Sequence, residues 1–222
     1  MVLTLLAVIL KFNAQELAVG TSYFLPVNAP LSVAVPPVVL RGELIGDENW
    51  ALETGITWYR MSGMALQNLS FPMLESALLP FNSFVFPLQI GGKWRFKSIR
   101  IQPKIGVFAS INSQYKLHED ALSRAYLRSR LDLSQMQTNS RIEQSNTFGL
   151  LAGVFLGLPL KKEWMLKIGG SWYEGQSPAA VTGSYQGLSQ NQVPVTGNFN
   201  FNNSTLDFRG FEMYLGIEFK WE

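Results

Sequence analysis

Residues 210–222, GFEMYLGIEFKWE, alternate large apolar side chains with mixed ones almost without a break. The apolar positions are Phe211, Met213, Leu215, Ile217, Phe219 and Trp221. A period of two residues is typical of a β-strand with unlike faces. A soluble strand of this kind seldom runs through the last residue of a chain, where fraying is usual. The environment that covers so apolar a face must be sought in the rest of the sequence.

Composition favours a membrane or all-β protein. The 222 residues include 15% charged and 13% aromatic residues and carry a formal net charge of +2. Soluble domains contain about a quarter charged residues. Because Lys and Arg are scattered, the sequence lacks the basic surface of a nucleic-acid binder, and no nucleic-acid partner is expected. The longest apolar run, residues 148–160, is shorter than the roughly 18–20 residues of a membrane helix, which excludes a helical membrane protein.

The first 15 residues resemble a bacterial secretory signal, with an apolar stretch at residues 2–10 and small residues near Ala14. In a typical secretory signal basic residues precede the apolar stretch, whereas here Lys11 follows it. The alternative is therefore that these residues form a first β-strand. The chain contains no cysteine, which excludes disulfides, thiol chemistry and a lipoprotein anchor. We predict a signal peptide at residues 1–15 and a single domain at residues 16–222.

The period-two pattern recurs eight times along the chain. The predicted strands span approximately residues 16–26, 36–45, 50–61, 83–96, 99–111, 146–160, 163–174 and 208–221. Tight connections between them alternate with long ones, of which the last two are residues 112–145 and 175–207. Outer-membrane barrels show this asymmetry, with short periplasmic turns and longer extracellular loops. We therefore predict an all-β, eight-stranded antiparallel transmembrane β-barrel in the bacterial outer membrane, with both termini in the periplasm.

The tryptophans support this prediction, since all six fall on the apolar faces of the predicted strands. Four lie next to tight turns or the chain end, namely Trp50, Trp94, Trp164 and Trp221. The other two, Trp58 and Trp172, lie near long loops. Trp58 follows Trp50 by eight residues on one strand, and Trp172 follows Trp164 by eight on another. This spacing is roughly 20 Å along the barrel axis, close to the ~25 Å apolar band of such barrels. We predict two lipid-interface girdles in contact with outer-membrane lipid and lipopolysaccharide.

The mixed faces then fill the barrel, because eight strands leave room inside for side chains and little else. Buried charges of both signs must be paired. We predict an interior ion-pair network without an open pore, formed by Arg41, Glu43, Glu53, Lys93, Arg95, Arg100, Lys104, Lys167, Glu212, Glu218 and Lys220. Two prolines inside strands, Pro87 and Pro103, each remove a ladder donor, so local bulges are expected there.

Three segments resemble a known family. Residues 84–110, FVFPLQIGGKWRFKSIRIQPKIGVFAS, resemble the strand, tight turn and strand at the core of the small outer-membrane β-barrel proteins of Bacteroidota, the PorT-like group. Residues 149–175 resemble the next hairpin of that group, and residues 210–221 its closing strand. Because the group is implicated in protein secretion, the resemblance implies an accessory subunit of a larger outer-membrane secretion or assembly complex, with other outer-membrane proteins as partners.

Residues suited to catalysis are few. The single histidine, His118, lies near Glu119, Asp120 and Ser123, which are the residue types of acyl transfer. The same stretch, residues 115–133, has the pattern of an amphipathic helix or of a strand extension. A lone His offers one good metal ligand, and no cofactor signature is present. We predict a non-enzymatic protein without metal or cofactor, with a stand-alone structural or adhesive barrel, a narrow pore and a lipid A-modifying enzyme as alternatives.

The last long connection has two interpretations. Residues 175–207 are rich in Gly, Ser, Asn and Gln, which is typical of a solvated loop. Loops on a rigid scaffold also carry binding sites, so a contact surface for a partner is the alternative.

Overall fold

The strands close into a barrel. The computed structural model describes residues 16–27, 38–64, 66–67, 79–113, 117–130, 132–144 and 146–221, so the predicted signal peptide lies outside the described residues. In chain order the elements are β1 (Glu16–Pro26), β2 (Val38–Gly46), β3 (Trp50–Met64), β4 (Leu66–Gln67), β5 (Leu79–Gly92), β6 (Trp94–Phe96), β7 (Ile99–Ser113), α1 (Glu119–Ser129), β8 (Leu133–Gln144), β9 (Thr147–Pro159), β10 (Trp164–Ser189), β11 (Pro194–Phe201), β12 (Thr205–Asp207) and β13 (Gly210–Lys220). The part of the chain that the structure describes contains no helix long and apolar enough to cross a membrane.

Eight strands form the barrel wall in the order β1, β2, β3, β5, β7, β9, β10 and β13, with β6 continuing β5. Each neighbouring pair is antiparallel, and β13 pairs with β10 on one side and with β1 on the other. This double pairing closes the sheet, and the predicted eight-stranded antiparallel barrel is confirmed.

Tight turns join strands at one end of the barrel, which we call the turn end; the opposite end is the loop end. In the first turn, Asp47 Oδ1 accepts hydrogen bonds from the backbone N–H groups of Asn49, at 2.7 Å, and Trp50, at 3.0 Å. These bonds stabilise the carboxylate and hold the pKa of Asp47 below its ordinary value. In the turn between β6 and β7, Lys97 adopts a φ of 55°, which a two-residue hairpin turn requires.

The bulges predicted at the two strand prolines are wrong. The register between β5 and β7 runs past Pro87 without a shift, and the Thr54 hydroxyl donates to the Pro87 carbonyl oxygen at 2.8 Å. Pro103 lies opposite the interruption between β5 and β6, where no ladder partner is needed. The pairing of β5 with β3 is interrupted between Leu88 and Val85, so each of the two prolines faces a gap in pairing on one side. A bulge occurs instead in β2, between Glu43 and Ile45.

Strand β10 extends the sheet far beyond the barrel at the loop end. Its first half pairs with β9 and β13 in the wall, whereas residues 179–189 pair with β8 and residues 181–188 pair with β11. The prediction that this strand ends near residue 174 is wrong. Residues 175–207, whose polar composition is typical of a solvated loop, form strands over most of their length.

The extension consists of β8, β11 and residues 179–189 of β10, and we call these three segments the platform. Helix α1 lies on one face of the platform. The ring centroid of Tyr126 lies 5.6 Å from that of Tyr185 and 5.7 Å from that of Phe199. Leu122 is buried in the same cluster. The amphipathic helix considered for residues 115–133 is thus present at residues 119–129, and it covers the aromatic cluster on this face of the sheet.

Two polar side chains fasten α1 to β8. The Glu119 carboxylate accepts hydrogen bonds from the Thr138 hydroxyl at 2.8 Å and from the Ser140 backbone N–H at 2.9 Å. The hydroxyls of Ser123 and Thr138 lie 2.9 Å apart. These contacts hold the first turn of the helix against the sheet.

We expect Glu119→Ala to loosen the helix. The variant removes the acceptor of Thr138 and Ser140, and a hydrogen bond to a charged group contributes about 1.5 kcal/mol or more, so amide exchange across α1 should become about tenfold faster. Hydrogen–deuterium exchange of the folded protein measures this. Asp120→Ala, at an exposed neighbouring acid, is the matched control. Equal exchange in the two variants would contradict the fastening role.

Candidate functional site

The outer face of the barrel is an apolar belt. Exposed aliphatic side chains on it include Val19, Ile90, Ile105, Leu150, Val154 and Leu215. The six tryptophans predicted for the girdles are exposed on this face as well, between 40% and 64%. Soluble monomers rarely expose so continuous an apolar surface, whereas a lipid bilayer covers it. The assignment of the tryptophans to the lipid interfaces stays a prediction.

The half of the interior toward the turn end is charged. Nine of the predicted interior residues are buried there, namely Arg41, Glu43, Glu53, Lys93, Arg100, Lys104, Lys167, Glu212 and Glu218. Both signs occur. We call this group the charged layer.

Five members of the charged layer form a continuous chain of ion pairs across the lumen. Lys104 Nζ lies 2.5 Å from Glu53 Oε2, and Lys167 Nζ lies 3.4 Å from Glu53 Oε1. Lys167 Nζ also lies 2.5 Å from Glu218 Oε2, whose second oxygen is 2.9 Å from Arg100 Nη1. Alternating charges satisfy one another, so the burial of so many ionised groups is compensated.

One carboxylate of this layer was not among the predicted residues. Glu16 lies 2.8 Å from Arg100 Nη1 and 4.0 Å from Lys93 Nζ, which in turn lies 2.6 Å from Glu43 Oε2. The alternation of β1 places Glu16 on the same side as Ala18 and Ser22, and this signal could have identified it.

Two predicted members of the interior network lie outside it. Arg95 and Lys220 are exposed at the turn end, although each has the alternation of an inward-facing residue. Arg95 belongs to the short strand β6, and Lys220 is the last residue of β13. Both positions lie where the wall ends, so their side chains emerge at the rim and meet no interior partner.

Glu212 connects the charged layer to the other half of the lumen. Its side chain is fully buried and accepts hydrogen bonds from the Tyr59 hydroxyl at 2.7 Å, the Tyr173 hydroxyl at 2.9 Å and Arg41 Nη2 at 2.7 Å. Ser22 donates to the Tyr59 hydroxyl at 3.2 Å. One carboxylate thus holds three side chains from three different strands.

The half of the interior toward the loop end is an aromatic layer of Phe24, Tyr59, Phe108, Tyr173 and Phe208. Ring centroids lie 5.0 Å apart for Phe108 and Tyr173, 5.2 Å apart for Phe24 and Phe208, and 5.4 Å apart for Phe108 and Phe208. All five side chains are buried, and the same cluster continues into the platform core. The lumen is therefore packed from one half to the other.

We expect no steady conductance from the folded barrel in planar lipid bilayers. In the charged layer, the gap beside Arg41, Glu53 and Lys167 has no room for a water molecule. Addition of detergent alone gives the baseline of these recordings. Step-like openings of constant size that require the folded barrel would contradict a sealed lumen.

The residue types suited to acyl transfer do not converge on a common point. His118 is exposed at the start of α1, while Glu119 and Ser123 are engaged with β8. Among the residues that the structure describes, no group of three or more His, Asp and Glu side chains is placed to hold a metal ion.

A closed eight-stranded barrel with an apolar outer belt and a packed interior defines a class, the integral outer-membrane β-barrels. OprG from Pseudomonas aeruginosa has a similar fold, with a TM-score of 0.56 and 9% sequence identity over 94% of this chain and 96% of OprG. At this identity the likeness establishes the fold and leaves the role open.

Two other solved structures are more distant. The major outer membrane protein from Thermus thermophilus has a TM-score of 0.48 and 13% identity, over 93% of this chain and 98% of its own. Ail, the attachment invasion locus protein of Yersinia pestis, has a TM-score of 0.43 and 9% identity, over 93% and 97%. No protein-family model and no curated protein sequence matches the chain. The resemblance to the PorT-like group therefore has no support at the level of a family.

Proposed function

We propose that the protein is a non-enzymatic subunit of a larger outer-membrane assembly and acts through contacts made by its platform. The observation that carries this proposal is the platform itself. Strand β10, 26 residues long, runs without interruption from the barrel wall into a sheet whose aromatic cluster continues the core of the barrel. A sealed lumen is poorly suited to transport, whereas a rigid surface held away from the bilayer is suited to binding.

The face of the platform opposite α1 is an ordered polar surface. Its residues form three cross-strand rows, namely Gln137, Gln186 and Thr196; Asn139, Ser184 and Asn198; and Arg141, Thr182 and Asn200. One of these nine side chains is charged. Depletion of charge distinguishes the centres of protein interfaces from the rest of a protein surface, so this face is suited to contact with another protein.

One strand edge adds a second means of contact. Among the described residues, β11 pairs with β10 alone, so its outer edge offers backbone N–H and C=O groups to a partner strand. On β8 the backbone N–H groups of Thr138 and Ser140 already donate to side chains of α1. A partner could therefore extend the sheet as well as cover its face.

The resemblance to the PorT-like group favours protein secretion or assembly as the process. We place the barrel in the outer membrane with both termini in the periplasm, because tight turns face the periplasm in barrels of this class. The platform then stands on the extracellular side, beside lipopolysaccharide, where other outer-membrane proteins present their loops.

Extraction from native membranes in mild detergent tests the proposal. We expect the protein in an assembly larger than the monomer, and we expect Asn139→Arg with Asn198→Arg, in the central row, to release it as a monomer because two unpaired charges enter the interface. Asn202→Arg with Asn203→Arg adds the same charges in the exposed turn after β11 and should leave the assembly intact. A wild-type protein recovered as a monomer would contradict the proposal and favour a stand-alone surface barrel.

A further inference from the structure

The turn end contains a cavity of about 350 Å³ between two tight turns and the end of β13, which we call the rim cavity. Lys97 and Ser98 line it from the turn between β6 and β7, and Lys161 lines it from the turn between β9 and β10. Arg95 and Lys220, the two residues that emerge at the rim, complete this side of the wall. The cavity therefore brings together rim side chains outside the interior network, beside Arg100 and Glu218 at the edge of that network.

The rim cavity is strongly basic. Six basic and two acidic residues line it. One of the acids, Glu218, is already paired with Arg100 at 2.9 Å and with Lys167 at 2.5 Å, so it does not neutralise the rim. Within the described residues, no salt bridge is formed by the side chains of Arg95, Lys97, Lys161 and Lys220. Four cations with no carboxylate partner around one cavity create a site for an anion.

The position of the cavity indicates which kind of anion it binds. Trp164 lines the cavity and is 44% exposed, and the neighbouring Trp94 and Phe96 are also exposed on the outer face. Exposed Trp residues at the end of an apolar belt mark the level of the lipid headgroups. The rim cavity thus opens where the membrane presents phosphate groups.

We propose that the rim cavity binds the phosphate group of an anionic phospholipid headgroup in the adjoining leaflet. Arg and Lys N–H groups and the Ser98 hydroxyl are the donors that phosphate oxygens accept from. Basic pockets beside membrane-spanning segments bind anionic headgroups in this way. The site lies at the opposite end of the barrel from the platform, so it does not depend on the proposed partner contacts.

Native mass spectrometry of the folded full-length chain in a zwitterionic detergent tests the site, with short-chain phosphatidylglycerol as the probe. We expect Arg95→Gln with Lys220→Gln to weaken binding about thirtyfold, since each cation near an anionic headgroup contributes about a factor of five. Arg124→Gln with Arg128→Gln removes the same charge from exposed positions on α1 and should leave binding unchanged. Phosphatidylcholine, which carries no net charge, should bind far more weakly to the wild type.

Small outer-membrane barrels commonly run at different gel positions before and after boiling, and retention of this shift shows that a variant is folded. If the first pair of substitutions prevents folding, Lys97→Gln with Lys161→Gln replaces it. Binding of phosphatidylglycerol that is equal in the rim variant and the helix variant would overturn the proposal. Binding of inorganic phosphate or of an acidic peptide as tightly as the lipid would also overturn it, because the site would then take a soluble phosphate or a protein segment. A loss of phosphatidylglycerol binding as salt rises to 0.5 M or so supports it.

Discussion

Glu212→Ala should lower the free energy of unfolding by about 3–5 kcal/mol, the usual effect of removing one partner from a buried ion pair. The variant leaves the Arg41 guanidinium buried without its carboxylate, 2.7 Å away in the wild type. It also takes away the acceptor of the Tyr59 and Tyr173 hydroxyls. Urea unfolding of the barrel in lipid vesicles, followed by tryptophan fluorescence, measures the change.

Two controls separate the ion pair from a general effect of losing an acid. Glu143→Ala, at an exposed position of the platform, should change the free energy by less than about 0.5 kcal/mol. Arg41→Met with Glu212→Leu removes both charges and should destabilise the barrel less than Glu212→Ala alone, because no buried charge is left unpaired. A single variant as stable as the wild type would show that Glu212 does not hold the lumen together.

Phe208→Ala should have an effect of similar size, about 3–5 kcal/mol, through a cavity in the aromatic layer. The Phe208 ring is fully buried, with centroids 5.2 Å from Phe24 and 5.4 Å from Phe108. Its neighbours are held by the closed wall and cannot collapse into the space that the ring leaves. The same urea unfolding experiment gives the magnitude.

The matched control is Phe148→Ala, in which the same ring is removed from the outer face, where Phe148 is 69% exposed. Lipid chains can fill the space there, so we expect a clearly smaller loss than in Phe208→Ala. If the two substitutions destabilised the barrel equally, the packed aromatic layer would not contribute as the structure indicates.

The wall of the barrel could be predicted from the sequence because its environment imposes a strict alternation. Lipid on one side and a narrow lumen on the other force a period of two, and the contrast of tight and long connections indicates closure. The same alternation identified most of the charged layer. It failed at Arg95 and Lys220, because alternation reports which face a residue is on and not how far along the barrel axis it lies.

The platform and the surroundings of Glu212 could not be predicted. Residues 175–189 alternate, but their inward positions carry small residues such as Ser177 and Ala179, so the apolar signal is weak. The convergence of Arg41, Tyr59 and Tyr173 on one carboxylate depends on how strands shift relative to one another around the barrel, and a single sequence does not contain that information.

The pairing of the interior arginines has a consequence for how the barrel is assembled. Arg41 depends on Glu212 of β13, and Arg100 depends on Glu16 of β1 and Glu218 of β13. These carboxylates belong to the two strands that meet at the closing seam. An inserted sheet with an open seam would leave both guanidinium groups without their carboxylates, so we expect the seam to close together with membrane insertion. For the same reason we expect the pairing between β1 and β13 to resist separation of the two strands once it has formed.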